Sequence, residues 1–105
     1  MQIRVSSPGH KLKDGDVDRI ERDLEKIDRR LSGFNQVFAE VRISKTRGAA
    51  ATFAAKLEVE YGRRHLLATG ESEDIGQAVR AAREDILRQI NDRGRGSHSQ
   101  YAKGR

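Results

Sequence analysis

The sequence predicts an α+β fold: a two-layer sandwich with the element order β-α-β-β-β-α, in which both helices lie on one face of a four-stranded sheet. Two segments place apolar residues every three or four positions, as an amphipathic helix does, and four segments alternate apolar and polar residues, as a half-buried strand does. Every segment therefore has one apolar face. One layer of helices packed on one sheet is the simplest arrangement that buries all six faces.

The first half of the chain predicts a strand, a helix and a second strand. Residues 2–6 and 36–44 alternate in polarity, which predicts strands with one buried face. Between them, Asp14 or Asp16 is expected to cap a helix, and Gly33 is expected to end it. The apolar stripe of this helix consists of Val17, Ile20, Leu24, Ile27 and Leu31.

The second half predicts a β-hairpin. Residues 52–60 and 64–70 alternate in polarity, and the glycine in 61–63 suits a tight turn between them. Together with 36–44 they form an antiparallel meander. The sheet face turned away from the helices is then expected to be solvated, and it would carry Arg4, Phe38, Arg42, Lys56 and His65.

A second helix follows the hairpin. Either Ser72 or Asp74 can cap its N-terminus, and it is expected to end between residues 91 and 94. Its apolar stripe consists of Ile75, Val79, Ala82, Ile86 and Ile90.

Positive charge is concentrated at the C-terminus. The 105 residues carry a net charge of +5, and residues 93–105 contain four bases and no acid. The glycine- and serine-rich composition there lacks any apolar period. We therefore predict two parts, an α+β domain at 1–92 and a flexible basic tail at 93–105, and such a tail suits a polyanion such as RNA.

Composition argues against several classes of function. The absence of cysteine excludes disulfides, thiolate catalysis and cysteine-based zinc sites. The three histidines have no metal-ligand spacing, and most acids lie beside a base at helical spacing, as Glu84 lies beside Arg80. No apolar run is long enough to cross a membrane or to act as a secretory signal. We expect a cytoplasmic protein that is not an enzyme and uses neither cofactor, metal nor small-molecule substrate.

Several blocks of sequence resemble the ribosome hibernation promoting factors, the family of ribosome-associated translation inhibitors also called sigma modulation proteins. Residues 34–45 (Phe-Asn-Gln-Val-Phe-Ala-Glu-Val-Arg-Ile-Ser-Lys) are similar to the family's helix-to-strand junction and second strand. Residues 68–79 (Ala-Thr-Gly-Glu-Ser-Glu-Asp-Ile-Gly-Gln-Ala-Val) resemble its strand-to-helix segment. Residues 86–90 and 1–6 fit as well, so the likeness covers about residues 1–92 in the same element order.

The resemblance implies a protein that binds the small ribosomal subunit and its rRNA. The family occupies the mRNA and tRNA decoding channel, inhibits translation and preserves idle ribosomes under stress or in stationary phase. The chain resembles the short members of this family. The resemblance therefore implies that the protein either pairs ribosomes with the help of a second hibernation factor or prevents their pairing.

The resemblance also implies which cations contact rRNA. Lys26, Arg29 and Arg88 match basic positions of the family. On physical grounds we add three further bases on the helices and two bases that follow the second helix, namely Arg22, Arg80, Arg83, Arg93 and Arg95.

The chain departs from the family at three positions. Gly76 stands where the family usually has tyrosine, and Asp85 and Asp92 stand where bases are common. Two alternatives stay open. One is a free-standing double-stranded-RNA module, although the acidic residues 71–74 at the start of the second helix would repel phosphate; the other is a protein-binding regulator without an RNA partner.

Overall fold

A computed structural model describes residues 1–46 and 52–96, with the backbone alone for 93–96. The six elements come in the predicted order. They are β1 (Gln2–Ser6), α1 (Asp14–Arg30), β2 (Val37–Lys45), β3 (Phe53–Tyr61), β4 (Arg64–Ser72) and α2 (Ile75–Gly96). The predicted α+β fold class is confirmed.

The sheet has the strand order β1-β2-β3-β4. Strand β1 runs parallel to β2, and β2, β3 and β4 form the predicted antiparallel meander. The β3–β4 turn has two central residues, and Gly62 alone of them has a positive φ, of 59°. A positive φ at the first central residue is the pattern of a type II′ turn, which matches the twist of the strands and favours glycine there.

Both helices pack on one face of this sheet. The buried side chains of α1 and α2 and the inward side chains of the four strands form one apolar cluster. Ile20, Leu24 and Ile27 of α1 are almost fully buried, as are Val79 and Ile86 of α2. The apolar stripes predicted from the helical period are therefore the faces that the fold buries.

The caps of α1 differ from the prediction. The helix begins at Asp14 with Lys13 as its N-cap, and Asp16 accepts a hydrogen bond from the backbone N–H of Lys13 at 3.3 Å. Asp14 and Asp16 thus lie within the first turn, where a carboxylate still interacts favourably with the helix dipole. At the other end, Leu31 is the C-cap and Gly33 has no positive φ, so the predicted glycine cap is wrong.

Helix α2 begins as predicted and ends later. Asp74 caps it: its carboxylate accepts from the backbone N–H of Gln77 at 3.0 Å, and the hydroxyl of Ser72 accepts from the backbone N–H of Asp74 at 3.2 Å. The helix then continues to Gly96, past the predicted end at 91–94 and into the segment assigned to the tail. Residues 97–105 lie outside the described residues, so the two-part division stays a prediction.

Candidate nucleic-acid interface

A line of cations follows the solvent side of α1. Arg22, Lys26 and Arg29 are four and three positions apart, a spacing that places side chains on one helix face along about 10 Å of axis. All three are exposed, and none has an ion pair or side-chain hydrogen bond to another residue within 1–46 or 52–92. We call this set the α1 stripe. Its charges are free to meet an anionic partner.

The α1 stripe borders a groove between the two helices. The groove has a volume of about 390 Å³ and is lined by Lys26, Arg29, Arg30, Leu87 and Asn91. The guanidinium of Arg30 donates to the side-chain carbonyl of Asn91 and so joins the C-terminal half of each helix. Sequence reasoning missed Arg30 and Asn91, because neither identity nor spacing shows that two residues 61 positions apart meet.

Arg83 is placed differently from the other cations. It is only 6% exposed. Its Nη1 lies 3.7 Å from Oδ1 of Asp23 on α1 and donates to the Asp23 backbone carbonyl at 3.3 Å, while Nε and Nη2 donate to Glu84 at 3.0 and 2.6 Å. With these donors engaged inside the protein, Arg83 is poorly placed to contact RNA. It holds α1 against α2.

The same interhelix contact includes Arg80 and Glu84. Arg80 is half-exposed, with Nη2 3.9 Å from Oδ2 of Asp23, a buried oxygen without a hydrogen bond. The hydrogen bond from Arg83 lowers the pKa of the Glu84 carboxyl, burial opposes that shift, and the nearby charges of Lys26 and Arg88 add to it. Glu84 therefore lies in the positive field of both helices and stays ionised at neutral pH.

Arg88 keeps most of its side chain in solvent. It is 68% exposed, with Nη1 3.3 Å from Oδ1 of Asp85, one helical turn away. An exposed pair of this kind contributes little to stability and is easily exchanged for a phosphate. Asp85, one of the departures from the family, thus acts as the local partner of a predicted RNA contact. Arg93 and Arg95 lie on the helical backbone of α2, and their side chains are outside the described residues.

Gly76, another of the departures, makes room for a cation. A Cβ built on Gly76 would lie 2.8 Å from Nη1 of Arg19 and 3.2 Å from Oδ2 of Asp74. Arg19 therefore occupies the space beside the start of α2 that a side chain at 76 would fill. It brings positive charge to the end of the acidic segment 71–74, which the sequence analysis expected to repel phosphate.

The described ranges contain neither a cluster of metal-ligating side chains nor a helix that could span a membrane. Within 1–46 and 52–92, no three histidine, aspartate or glutamate side chains come together as metal ligands would. Neither helix, over its described residues, is both long and apolar enough to span a bilayer. For the binding of a nucleic acid, the relevant features of these ranges are the α1 stripe, the groove and Arg88.

Comparison with known proteins relates the fold to two solved structures. No protein-family model and no curated protein sequence matches the chain. The N-terminal domain of Thermus thermophilus Protein Y superposes with a TM-score of 0.73 at 21% identity, covering 86% of this chain and 96% of that domain. A ribosomal subunit interface protein from Coxiella burnetii superposes with a TM-score of 0.71 at 14% identity, covering 90% and 98%. At these identities the likeness establishes the fold, and the fold implied by the sequence resemblance is confirmed.

Proposed function

We propose that this protein is a ribosome-associated factor of the hibernation type. It binds the small ribosomal subunit in the mRNA and tRNA decoding channel and inhibits translation under stress or in stationary phase. The combination of two features carries the proposal. The chain shares its fold with a ribosomal subunit interface protein over 90% of its length, and its helix layer presents the free α1 stripe.

Binding would rest on phosphate contacts. Each lysine or arginine that neutralises an rRNA phosphate releases condensed counterions, so a few contacts give appreciable but salt-sensitive affinity. Only 5% of the residues are aromatic, which leaves little for stacking on single-stranded bases. The protein would therefore recognise the shape and backbone of folded rRNA rather than its sequence.

We rank the predicted contacts by how exposed their side chains are. The α1 stripe and Arg88 are exposed and form the primary proposed surface, with half-exposed Arg80 at its margin. Arg93 and Arg95 would extend the surface along α2. We assign Arg83 a positioning role, because its burial and its contacts with Asp23 and Glu84 fix the spacing of the helices that carry the others.

This assignment makes the chain a binding protein rather than an enzyme. It would act by sterically blocking the decoding channel and would require neither cofactor nor small-molecule substrate. It would act in the cytoplasm, where ribosomes translate. A second hibernation factor is the further partner that the sequence resemblance implies.

Co-sedimentation with purified small subunits across a salt series tests the proposal. Wild-type protein should pellet with the subunits, and the triple variant Lys26→Ala, Arg29→Ala, Arg88→Ala should bind at least about tenfold more weakly with a salt slope reduced by roughly two to three. The matched control removes three cations from the opposite face, Arg4→Ala, Arg42→Ala and Lys56→Ala, and should bind like wild type.

The same series separates the alternatives. Equal weakening by both triple variants would show general charge attraction and contradict the assigned surface. Binding to any RNA duplex with the same affinity as to the subunit would favour the double-stranded-RNA module. Protein that stays in the supernatant at every salt concentration would leave the protein-binding regulator. A density map of the complex would then show whether the decoding channel is occupied.

A further inference from the structure

The sheet face opposite the helices carries its charges in rows. The register places outward side chains of the four strands side by side, so each row runs across the sheet. One row reads Arg4, Glu40, Glu58, Leu67, and the next reads Ser6, Arg42, Lys56, Thr69. The two central strands thus contribute a purely acidic pair to one row and a purely basic pair to its neighbour.

These pairs are unfavourable within one molecule. Glu40 lies directly opposite Glu58, and Arg42 directly opposite Lys56. Like charges directly opposite on neighbouring strands are destabilising. Glu58 accepts a hydrogen bond from Nε2 of His65 at 2.9 Å, whereas Glu40, Arg42 and Lys56 have no ion pair with another side chain within 1–46 or 52–92. The face therefore presents charges of both signs in a fixed order, and three of the four central ones have no ion pair among the residues that the structure describes.

The order of the rows is self-complementary. Consider a two-fold axis that lies parallel to the sheet, runs across the strands and passes between the acidic and the basic row. Rotation about it lays a second copy face to face on the first and exchanges the two rows, while each strand stays over its own counterpart. Glu40 then faces Arg42 of the second copy, and Glu58 faces Lys56, with each pair occurring twice.

The outer positions fit the same rotation. Leu67, which is 49% exposed, would face Thr69 of the second copy, and Phe38, which is 41% exposed, would face Ser44. His65 would face Glu71. Across the four strands, no charged side chain meets one of like sign.

We propose that the open sheet face binds a second copy of this chain, face to face about this two-fold axis. An isologous contact of this kind needs a surface complementary to itself, and the exchanged charge rows provide one. The helix layers of both copies lie on the outside of the dimer. The α1 stripe thus stays accessible, and the dimer does not depend on the proposed ribosomal function.

The contact is small and charged, which sets its strength. Four strands about 4.8 Å apart and four rows about 6.8 Å apart cover on the order of 400 Å² per copy, about half of what a stable interface buries per partner. We therefore expect a weak dimer that salt dissociates, because exposed charges are screened over ~30 Å at 0.01 M salt and over only ~3 Å at 1 M.

Analytical ultracentrifugation of the full chain gives the first test. At protein concentrations up to roughly 1 mM and ~0.01 M salt, the average mass should rise toward that of a dimer, and at ~1 M salt it should return to that of a monomer. A monomer throughout the low-salt series would overturn the proposal, as would a dimer that is indifferent to salt.

Charge-reversal variants, measured alone and as a mixture, test the face-to-face arrangement. Lys56→Glu and Glu58→Lys each place like charges opposite one another in the homodimer, so each should dimerise at least about tenfold more weakly than wild type. Mixed in equal amounts, the two variants face each other with opposite charges, and a heterodimer should form that native mass spectrometry identifies by its mass. Each single change also turns a like-charge cross-strand pair into an opposite one, which in Glu58→Lys offsets the lost hydrogen bond to His65, so both variants should fold about as well as wild type.

A control pair carries the same charge changes on the helix layer. Glu21→Lys and Lys26→Glu should each dimerise like wild type, alone or mixed. Failure of the sheet-face mixture to form a heterodimer would overturn the face-to-face arrangement, and so would loss of dimer in the control pair. Because wild-type sedimentation with ribosomal subunits is measured separately, neither result decides the proposed ribosomal function.

Discussion

Gly70 of β4 lies so close to Ala78 of α2 that no side chain fits between them. A Cβ at Gly70 would be 2.1 Å from the carbonyl oxygen of Ala78 and 2.8 Å from the backbone nitrogen of Ala82. Both neighbours are helical backbone, which cannot rotate away as a side chain can. The absence of a side chain at 70 therefore sets how closely α2 approaches the sheet.

Gly70→Ala should accordingly destabilise the protein. The added methyl group forces α2 away from β4, and we expect a loss of about 3 kcal/mol or more in the free energy of unfolding, measured by urea denaturation. The matched control is Gly15→Ala in the first turn of α1. A Cβ there meets nothing within 4 Å, so alanine should be neutral or stabilise by up to about 1 kcal/mol. Equal stability of the two variants would contradict the packing described.

Gly76→Ala should be tolerated for a different reason. The added Cβ would crowd the guanidinium of Arg19, the far end of a flexible side chain that can move into solvent. Alanine also favours the helix by about 1 kcal/mol over glycine, which offsets the lost contact. In an Arg19→Ala background the same change should stabilise by close to that full amount, and urea denaturation of the four proteins of this cycle measures both effects. A loss as large as that of Gly70→Ala would show that Arg19 cannot move.

Arg83 and Arg88, on the same helix, should respond in opposite ways. Arg83→Ala removes a buried guanidinium and leaves Asp23 with only half-exposed Arg80, at 3.9 Å, as a charged partner, so it should cost about 3 kcal/mol of stability. Arg88→Ala removes an exposed side chain and should change stability by no more than about 0.5 kcal/mol, while it weakens binding to the small subunit. Thermal unfolding and co-sedimentation of both variants check this. Normal stability of Arg83→Ala would contradict its positioning role.

The pH dependence of stability should carry a contribution from Glu84. Hydrogen bonding from Arg83 lowers the pKa of this carboxyl below its ordinary value of 4.5. The ionised form therefore stabilises the fold above about pH 4.5, and that contribution is lost as the pH falls through the lowered pKa. Glu84→Gln should flatten the acid limb of a stability profile measured by urea unfolding between about pH 6 and 3. The carboxylate is half-exposed, so the effect should be small, and an unchanged acid limb would contradict the Arg83 contact.

The elements could be predicted because the pattern that forms them is local. Alternation over nine residues suffices to identify β2, and apolar residues three and four apart suffice to identify the buried face of α1. The caps of α1 were less predictable. Several polar residues within three positions of its start could serve as the N-cap. Asp16 instead accepts a hydrogen bond from the backbone N–H of Lys13 while lying inside the helix.

The residue types of the candidate site could be predicted from the sequence, but the positions of their side chains in the fold could not. The helical period puts Arg83 beside Ala82 at the margin of the apolar stripe, where exposure and burial are equally compatible with the sequence. Its burial depends on Asp23, sixty positions earlier, being carried to it by α1. The groove contact between Arg30 and Asn91 has the same origin.

Local sequence is enough to show which segments are helix or strand and which face of each is apolar, because these properties follow from neighbours a few residues apart. The tertiary structure alone decided which arginines are free, where α2 meets Gly70, and how acidic and basic pairs line up across the open sheet face. Those features depend on the register and packing of segments distant in the chain, and a distance between such segments is settled only when the whole core is assembled.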